Sequence, residues 1–260
     1  MELVSEPDLT KALRVLRLPV FASEHSTQAA VAAHEGWTFD RYLLALCELE
    51  LRHRYSNRVQ KRLTASRLPR DKTLANFDRT RMKKIVERQF AALLSGEFLD
   101  RTENVLVFGN PGSGKTHLLS ALGHELIKRG RSVYFAPCVL LVQRLLLAKA
   151  ELSLERQLKR LDRYEALIID DVGYVQQSRA DTEVLFTLLA HRYERGSVLL
   201  TSSVMFSGWD RIFNDPMITA AAIDQLVHHS IILEMQLPSY RMGTIKKRQP
   251  KPGVNTDVTI

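Results

Sequence analysis

Eight consecutive residues of this chain have the types and spacing of a phosphate-binding loop. They follow the pattern G-x-x-x-x-G-K-[ST] without exception and read Gly109-Asn110-Pro111-Gly112-Ser113-Gly114-Lys115-Thr116. The apolar run VLVF precedes them and the helical pattern KTHLLSALGHELIKRG follows, which is the strand–loop–helix context that the motif requires. Glycines let backbone N–H groups surround a phosphate, and the helix N-terminus adds its dipole. The loop therefore predicts a bound nucleotide.

Lys115 and Thr116 close this loop and have distinct predicted roles. We expect Lys115 to contact the β- and γ-phosphates and to act in catalysis, and the Thr116 hydroxyl to bind Mg²⁺. His117 follows directly and completes the predicted cofactor-binding segment. The cofactors predicted here are ATP and Mg²⁺, because the base-reading signature N-K-x-D of GTPases is absent from the sequence.

Two adjacent carboxylates, Asp170 and Asp171, end the apolar run ALIID. In a parallel sheet that end of a strand lies beside the phosphate loop. We expect Asp170 to hold the Mg²⁺ ion and Asp171 to orient or deprotonate the attacking water. The run SVYFA lies between the two motifs and suggests the nucleotidase branch of this fold, with an added strand between them.

A third polar strand end is predicted in SVLLTSSVMF, where Thr201, Ser202 and Ser203 follow apolar residues. A hydroxyl at this edge of the sheet is able to position water, and Ser203 is the candidate catalytic residue. Serine is also a common turn residue, so these positions equally fit a simple strand end.

The net charge of +8 is unevenly distributed. Between Arg52 and Arg88 there are 13 Lys/Arg and three acids, and five more bases without an acid lie between Arg241 and Pro252, which leaves −7 on the rest. This clustering favours a polyanion such as nucleic acid, although a solvated helix face with a basic tail gives the same pattern. Aromatic residues do not interleave with the bases, which favours duplex backbone over stacked single strands. The candidate DNA contacts in this segment are Arg52, Arg54, Arg58, Lys61 and Arg62.

Cysteine usage and the apolar runs predict a cytoplasmic protein without a membrane span. Cys47 and Cys138 are far apart in the sequence and form no C-x-x-C motif. The start MELVSEPDLTK lacks a signal-peptide core, and the run CVLLVQRLLLA is too short to cross a bilayer.

The periodicities predict an α/β fold: a parallel five-stranded sheet with flanking helices, preceded by a small all-α domain. Three helical patterns come first, and the third is expected to bury one stripe. The stripe comprises Leu43, Leu44, Cys47, Leu51, Tyr55, Val59 and Leu63. The predicted strands are VLVF, SVYFA, ALIID, SVLLTS and SIILEM. The predicted domains are residues 1–67 (helical), 68–240 (ATPase) and 241–260 (basic tail).

Residues from about Leu68 to Arg241 resemble the IstB-type transposition helper ATPases, AAA+ relatives of bacterial helicase loaders and replication initiators. The resemblance is carried by LP-x-x-KTL-x-x-FD, GNPGSGKTHL, YFAPCVLLVQRLLLAKA, LIIDDVGYVQQSRADTEVLFTLLAHRYERGS, W-x-x-I-F-x-D-P, AAAIDQLVHHS and SYR. It implies ATP-dependent assembly on duplex DNA for a partner transposase, and homo-oligomers with nucleotide between subunits. It also implies that the helices after SVYFAP face DNA, with candidates Arg144, Lys149, Arg156, Lys159 and Arg160.

Two positions depart from the family pattern. Ser203 stands where the family has Asn in T-S-N, and Gln225 stands in I-D-Q-L where the family has an arginine finger. Because such an arginine is worth about 10³-fold or more in rate, we predict ATP binding with weak hydrolysis. Arg241 is a candidate substitute cation, or simply part of the basic tail.

Three other functions fit parts of the sequence. A helicase loader would bind a helicase hexamer and prefer single-stranded DNA. A metabolic P-loop kinase would be a monomer with an acceptor pocket and leaves the Arg52–Arg88 charge unexplained. A scaffold would bind nucleotide for structural reasons only and would form DNA complexes without an ATP analogue.

Overall fold

The computed structural model describes residues 6–173, 178–213 and 215–235. The chain divides into two compact units, Met1–Arg62 and Leu63–Ile260. The predicted basic tail and Arg241 lie outside the described residues. In the described ranges, no helix is both long enough and apolar enough to cross a membrane.

The first unit is built from helices, as predicted. They are α1 (Glu6–Val15), α2 (Pro19–Glu35) and α3 (Phe39–Ser66), the last of which continues past Arg62. Pro19 occupies the first turn of α2, where its missing N–H costs no hydrogen bond. Gly36 ends α2 in the left-handed conformation, with φ of 65°. The Thr38 hydroxyl accepts the backbone N–H of Arg41 at 3.3 Å and so caps α3.

The predicted buried stripe of α3 is wrong. None of its seven residues is buried, and four are more than half exposed: Leu43 (53%), Leu44 (59%), Leu51 (65%) and Tyr55 (52%). The face packed on α2 instead contains Tyr42, Leu46 and Glu50, with the Tyr42 hydroxyl donating to His25 O and Val20 N–H donating to Glu50 Oε2. Helical spacing identified a real apolar row, but it does not say which of two neighbouring rows is covered.

Glu50 is the polar centre of this packed face. Its carboxylate accepts the Val20 N–H at 2.9 Å and Arg54 Nε at 2.7 Å. Burial by itself raises the pKa of Glu50, but these hydrogen bonds outweigh it and the pKa lies below its ordinary value.

The second unit contains the predicted five-stranded parallel sheet. Its strands are β1 (Asn104–Gly109), β2 (Val133–Pro137), β3 (Ala166–Val172), β4 (Ser197–Ser202) and β5 (Ser230–Met235). Their order is β2-β3-β4-β1-β5, and every pair is parallel. The helices are α4 (Lys84–Leu93), α5 (Lys115–Lys128), α6 (Cys138–Ala150), α7 (Leu154–Leu161), α8 (Arg179–Arg192), α9 (Asp210–Phe213) and α10 (Pro216–Val227).

Helices cover both faces of this sheet, which explains its continuously apolar strands. Leu106 and Phe108 of β1 join one core cluster with residues of α6, α7, α8 and α10. On the opposite face, α5 approaches so closely that a Cβ at Gly123 would lie 3.0 Å from the Ile168 side chain. The strands are therefore buried on both sides, as their sequences predicted.

The strand inserted between the two nucleotide motifs differs from the prediction. SVYFA forms β2, which lies at the edge of the sheet beside β3. The strand between β1 and β3 is β4, formed by SVLLTS. Sequence order does not give spatial order here, because each parallel connection crosses over the sheet and is free to skip a position.

Candidate nucleotide-binding site

The phosphate loop (Gly109–Thr116) joins the carboxyl end of β1 to the first turn of α5. Gly109 cannot carry a side chain, because a Cβ there would collide with the backbone carbonyl oxygen of Met235. Gly114 has a φ of 98°, in the left-handed region that glycine adopts without strain. The two glycines allow the chain to reverse beside β5 and enter α5 directly.

Lys115 is buried at the centre of this loop, with 6% of its surface exposed. Its ammonium donates to Gly109 O at 2.7 Å, Asn110 O at 3.1 Å and Ser203 Oγ at 3.0 Å. These acceptors hold the cation at the mouth of the loop. Two of them are loop carbonyls, which a phosphate oxygen can replace as the better acceptor for an ammonium.

The loop also has polar groups suited to an anion. The Ser113 hydroxyl oxygen is buried and has no hydrogen-bond partner in the described part of the chain. The first N–H groups of α5 have no intrahelical acceptor, as at every helix start, and they lie at the positive end of the helix dipole. A buried cation, an unsatisfied hydroxyl and a helix N-terminus together fit a bound phosphate chain.

Asp170 lies at the carboxyl end of β3, where the ladder to β4 shifts register between Ile169 and Val172. Its Oδ1 accepts the Thr201 hydroxyl at 2.7 Å, and the same hydroxyl oxygen accepts the Asp171 N–H at 2.7 Å. Asp171 has a φ of 64°, so its backbone turns at the bulge. Thr201 thereby holds the carboxylate of Asp170 and the backbone of Asp171.

The end of β4 connects the two motifs. Thr201 bonds to Asp170 on β3, and Ser203 accepts Lys115 from the phosphate loop beyond β1. Ser202 does not face the site, since its hydroxyl donates to Val204 O at 2.7 Å. Of the three polar residues predicted here, Ser203 and Thr201 are brought to the site. Thr201 had no assigned role in the sequence interpretation, and only the strand order reveals one.

Thr116 and His117 occupy the first turn of α5 and are half-buried. The His117 ring bonds to Thr73 O at 2.9 Å and lies 5.1 Å from the Phe77 ring, so its side chain is directed to this preceding segment. A Cβ at Gly114 would lie 3.6 Å from Phe77, which places that ring beside the loop. Phe77 is thus a candidate wall for the base; the motif LP-x-x-KTL-x-x-FD contained it without indicating that role.

The donors present fit a magnesium ion only together with a nucleotide. Among the described residues there is no group of three or more His, Cys, Asp and Glu side chains placed to hold a metal. Mg²⁺ commonly binds through one or two protein oxygens plus substrate phosphates and water. The hydroxyl of Thr116 and the carboxylate of Asp170 are a donor set of this kind.

The predicted DNA-binding cations differ in their local environment. Arg52, Arg58 and Lys61 are exposed. Arg54 bonds to Glu50 and donates to Arg17 O at 2.5 Å, and Arg62 is half-buried. In the second unit, Arg144 donates to the Tyr134 hydroxyl at 2.6 Å, and Lys149 pairs with Glu183 at 3.0 Å. The three further candidates, Arg156, Lys159 and Arg160, lie on α7, and Lys159 pairs with Glu155 at 2.5 Å.

Gln225 lies at the opposite end of the sheet from the phosphate loop. The next residue, Leu226, accepts the side-chain amide of Asn104, the first residue of β1, at 3.1 Å. Asn104 and Gly109 are the first and last of the six residues of β1, so the two points are about 17 Å apart along the strand. The Gln225 Oε1 atom is buried without a hydrogen-bond partner among the described residues, beside a cavity of about 10 Å³. Gln225 therefore does not reach the loop of its own chain.

Solved structures with the same fold include replication proteins. AMPPCP-bound DnaA from Aquifex aeolicus has a TM-score of 0.53 and 21% identity, over 70% of this chain and 55% of that chain. This chain thus spans about half the length of that protein. A DnaC helicase loader has a TM-score of 0.51 and 19% identity, over 64% of this chain and 98% of that chain. At such identities the similarity concerns the fold alone.

Closer similarity is found among proteins of insertion sequences. An insertion sequence ATP-binding protein of Sinorhizobium fredii is 41% identical over 239 residues, which cover 92% of this chain and 80% of that protein. The ATP-binding protein of insertion sequence IS21 from Pseudomonas aeruginosa is 37% identical over 228 residues. These residues cover 88% of this chain and 84% of that protein. The family model described as IstB-like ATP binding protein matches residues 11–249. The chain therefore belongs to the family of IstB-like ATP binding proteins.

Proposed function

We propose that this protein is an ATP-dependent helper of insertion-sequence transposition, which assembles on duplex target DNA and assists a partner transposase. The observation that carries the proposal is the convergence of the phosphate loop, Lys115, Ser203 and Asp170 at one edge of the sheet, in a chain of the IstB-like family. The names of its relatives connect that site with insertion sequences.

Each site residue has a proposed task. Lys115 exchanges its loop carbonyls for the β- and γ-phosphates, while the N–H groups of the phosphate loop and the Ser113 hydroxyl bind further phosphate oxygens. Thr116 and Asp170 hold the Mg²⁺ ion, which when bound neutralises charge on the phosphates. Asp171 orients or deprotonates the attacking water, and Ser203 positions Lys115 and that water.

Hydrolysis is proposed to be slow, with ATP acting as an assembly switch. In the proposed homo-oligomer the nucleotide lies between subunits, and the family position for a neighbour's finger arginine holds Gln225. A neutral amide supplies no cation to the developing charge on the γ-phosphate. We expect Gln225→Arg to raise the steady-state ATPase rate on DNA at least tenfold; a rate strongly stimulated by DNA and unchanged by Gln225→Arg would contradict this view.

Binding to DNA is proposed to depend on phosphate contacts. Arg52, Arg58 and Lys61 are exposed and lie on the strongly basic second half of α3. Each phosphate contact adds roughly 0.9 to the slope of log K against log salt. Replacing all three by Gln should lower that slope by about 3, whereas Lys128→Gln on α5 should leave it unchanged. An affinity for duplex that is independent of salt would contradict phosphate binding.

The decisive experiment compares assembly with and without a non-hydrolysable ATP analogue. Electron microscopy with duplex DNA should show large complexes only with the analogue, and Lys115→Ala should abolish them. Complexes that form regardless of nucleotide would indicate a scaffold instead. Capture of a helicase hexamer rather than a partner transposase, with a preference for single strands, would indicate a helicase loader.

A further inference from the structure

A cavity of about 280 Å³ lies between α6, α7 and the edge strand β2. The described residues that line it all belong to the second unit, and none of them is part of the phosphate loop. In the sheet, β2 is three positions away from β1, which is about 14 Å at ordinary strand spacing. A nucleotide held by the phosphate loop therefore does not fill this cavity.

Part of the lining is apolar and aromatic. Leu141 and Leu145 of α6 and Leu161 of α7 contribute buried side chains. Tyr134 and Tyr164 also line the cavity, and their ring centroids lie 5.0 Å apart with the planes at 41°. Aromatic side chains bind nucleic-acid bases by stacking, because every base has a π-face. The cavity therefore offers a surface for a planar group.

Three guanidinium groups line the same cavity, those of Arg67, Arg144 and Arg160. Arg144 donates to the Tyr134 hydroxyl at 2.6 Å, and Arg67 Cζ lies 5.7 Å from the centroid of the same ring. Two cations that contact one phenol ring repel each other, and an anion bound beside them offsets that repulsion. The lining thus combines a surface for a planar group with a surface for an anion.

Other cations of α6 and α7 are neutralised within the protein. Lys149 of α6 pairs with Glu183, and Lys159 of α7 pairs with Glu155. Among the described residues, no ion pair joins the three arginines of the cavity to a carboxylate. One acid, Glu151, lines the cavity, so the lining has a formal charge of +2. A phosphate monoester carries about −1.5 to −2 at pH 7 and neutralises that charge.

We propose that this cavity binds a nucleoside monophosphate and is a second nucleotide site, separate from the phosphate loop. The guanidinium groups donate to the phosphate, whose oxygens match their planar fork. The base stacks on Tyr164, and Glu151 and Gln157 provide a carboxylate and an amide for hydrogen bonds to its edge. The volume is just below the roughly 300–1,000 Å³ of small-molecule pockets, which favours a single nucleotide over a longer ligand. A DNA duplex is far wider than the cavity and reaches only its rim.

The first test is calorimetric titration of the full chain with AMP, in the variant Lys115→Met so that the phosphate loop contributes little. AMP should bind with a Kd below about 1 mM. Adenosine and ribose 5-phosphate should each bind at least about tenfold more weakly, because each lacks one of the two groups that the lining recognises. If Lys115→Met does not bind AMP, or binds ribose 5-phosphate as tightly as AMP, the proposal is overturned.

The second test assigns the two parts of the ligand to residues, in the same Lys115→Met background. Arg67→Gln/Arg160→Gln changes two exposed side chains and should weaken AMP and ribose 5-phosphate at least about tenfold, with little effect on adenosine. Tyr164→Leu should weaken AMP and adenosine about tenfold and leave ribose 5-phosphate unchanged. The matched control Arg163→Gln replaces an exposed arginine outside the lining and should bind AMP normally.

Unchanged AMP affinity in both lining variants, or an equal loss of all three ligands, would overturn the proposed site. The outcome is independent of the proposed function. Arg67→Gln/Arg160→Gln in the original chain should bind ATP through Lys115 with unchanged affinity. ATP binding without AMP binding would exclude only the second site, whereas AMP binding without ATP binding would exclude only the proposed role of the phosphate loop.

Discussion

Two buried cations of the second unit, Arg192 and Lys115, lie in regions with opposite functions. Arg192 is 1% exposed and donates to four backbone carbonyls, those of Leu161, Tyr164, Glu165 and Ser197. Lys115 is 6% exposed and donates to two loop carbonyls and one hydroxyl. Burial and charge are nearly the same, so neither property distinguishes a structural cation from one that binds a ligand.

The acceptors distinguish them. Those of Arg192 belong to the start of β4, the residues before β3 and the end of α7, elements fixed by the core. A Cβ at Gly196 would lie 2.7 Å from Arg192 Cζ, so the surrounding chain is closed around the guanidinium. Burial lowers the pKa of Arg192 to about 10, so it stays charged at neutral pH. The acceptors of Lys115 lie mostly in a loop next to unsatisfied groups, and that arrangement leaves room for a new partner.

The largest expected effect is on stability. Arg192→Met leaves four buried carbonyls without their donor, and we expect the free energy of unfolding in urea to fall by about 3–5 kcal/mol. ATP affinity of the folded protein should not change. The exposed neighbour provides the control, since Arg195→Met should cost less than about 0.5 kcal/mol. If Arg192→Met lowers the free energy of unfolding by less than about 1 kcal/mol, Arg192 does not have the structural role that distinguishes it from Lys115.

Lys115→Met should have the reverse profile. Loss of a charge-assisted contact to two phosphates should weaken ATP binding roughly 100-fold, about 2.7 kcal/mol, in calorimetric titration. The free energy of unfolding should change by less than about 1 kcal/mol, because the released loop carbonyls can bond to water. Lys128→Met, on the exposed end of the same helix, is expected to bind ATP normally. Unchanged affinity in Lys115→Met would remove the proposed role of the loop.

Thr201→Val tests, within the site itself, whether a buried hydrogen bond supports metal binding or only the fold. Val has the shape of Thr but cannot donate to Asp170, so we expect Mg²⁺-dependent ATP affinity to fall about tenfold, while affinity without Mg²⁺ stays the same. The matched control is Thr219→Val, another buried threonine, whose hydroxyl donates to Asp215 O at 2.8 Å. Equal losses with and without Mg²⁺ would show that Thr201 supports the fold rather than the metal.

The smallest expected effect concerns pH and a structural ion cluster. Arg131 donates to Asp100 at 2.6 Å and to Glu165 at 2.9 Å. The hydrogen bond from Arg131 lowers the pKa of Asp100. Burial raises the pKa of Glu165, but hydrogen bonds from Ser132 and Arg131 outweigh it, so that pKa is lowered as well.

Carboxylates with lowered pKa stabilise the fold above their ordinary values of 3.8 and 4.5, and this contribution is lost as the pH falls through the folded values. Between pH 5 and 3 the Tm of Arg131→Met should therefore fall less than that of the original protein, by about 1–2 °C. Arg129→Met, an exposed neighbour, should follow the original curve. Parallel curves for Arg131→Met and the original would exclude the cluster as a source of acid sensitivity.

Local sequence patterns predicted much of the fold and of the candidate site. All five strands and the phosphate loop were predicted, because apolar runs between helical patterns and a glycine-rich turn are local signals. The stripe of α3 was assigned to the wrong side, since the covered face contains the carboxylate of Glu50, which pattern alone would place in solvent, and only the contact with α2 identifies it. The roles proposed for the site residues (Lys115, Thr116, Asp170, Asp171 and Ser203), for Gln225 and for the basic residues stay predictions, as do the boundaries at residues 67 and 240.

The sequence by itself determined the phosphate-loop motif at Gly109–Thr116 and the position of Asp170 at a strand end, because a glycine pattern and an apolar run that ends in a carboxylate are local features. Only the tertiary structure decided which strand lies between them, and hence that Thr201 directs Asp170 while Ser203 accepts Lys115. It also decided that Arg192 is structural, although nothing in its local sequence separates it from neighbouring arginines. The physical reason is the same in each case: a hydrogen bond between residues far apart in sequence exists only after the sheet order has brought them together.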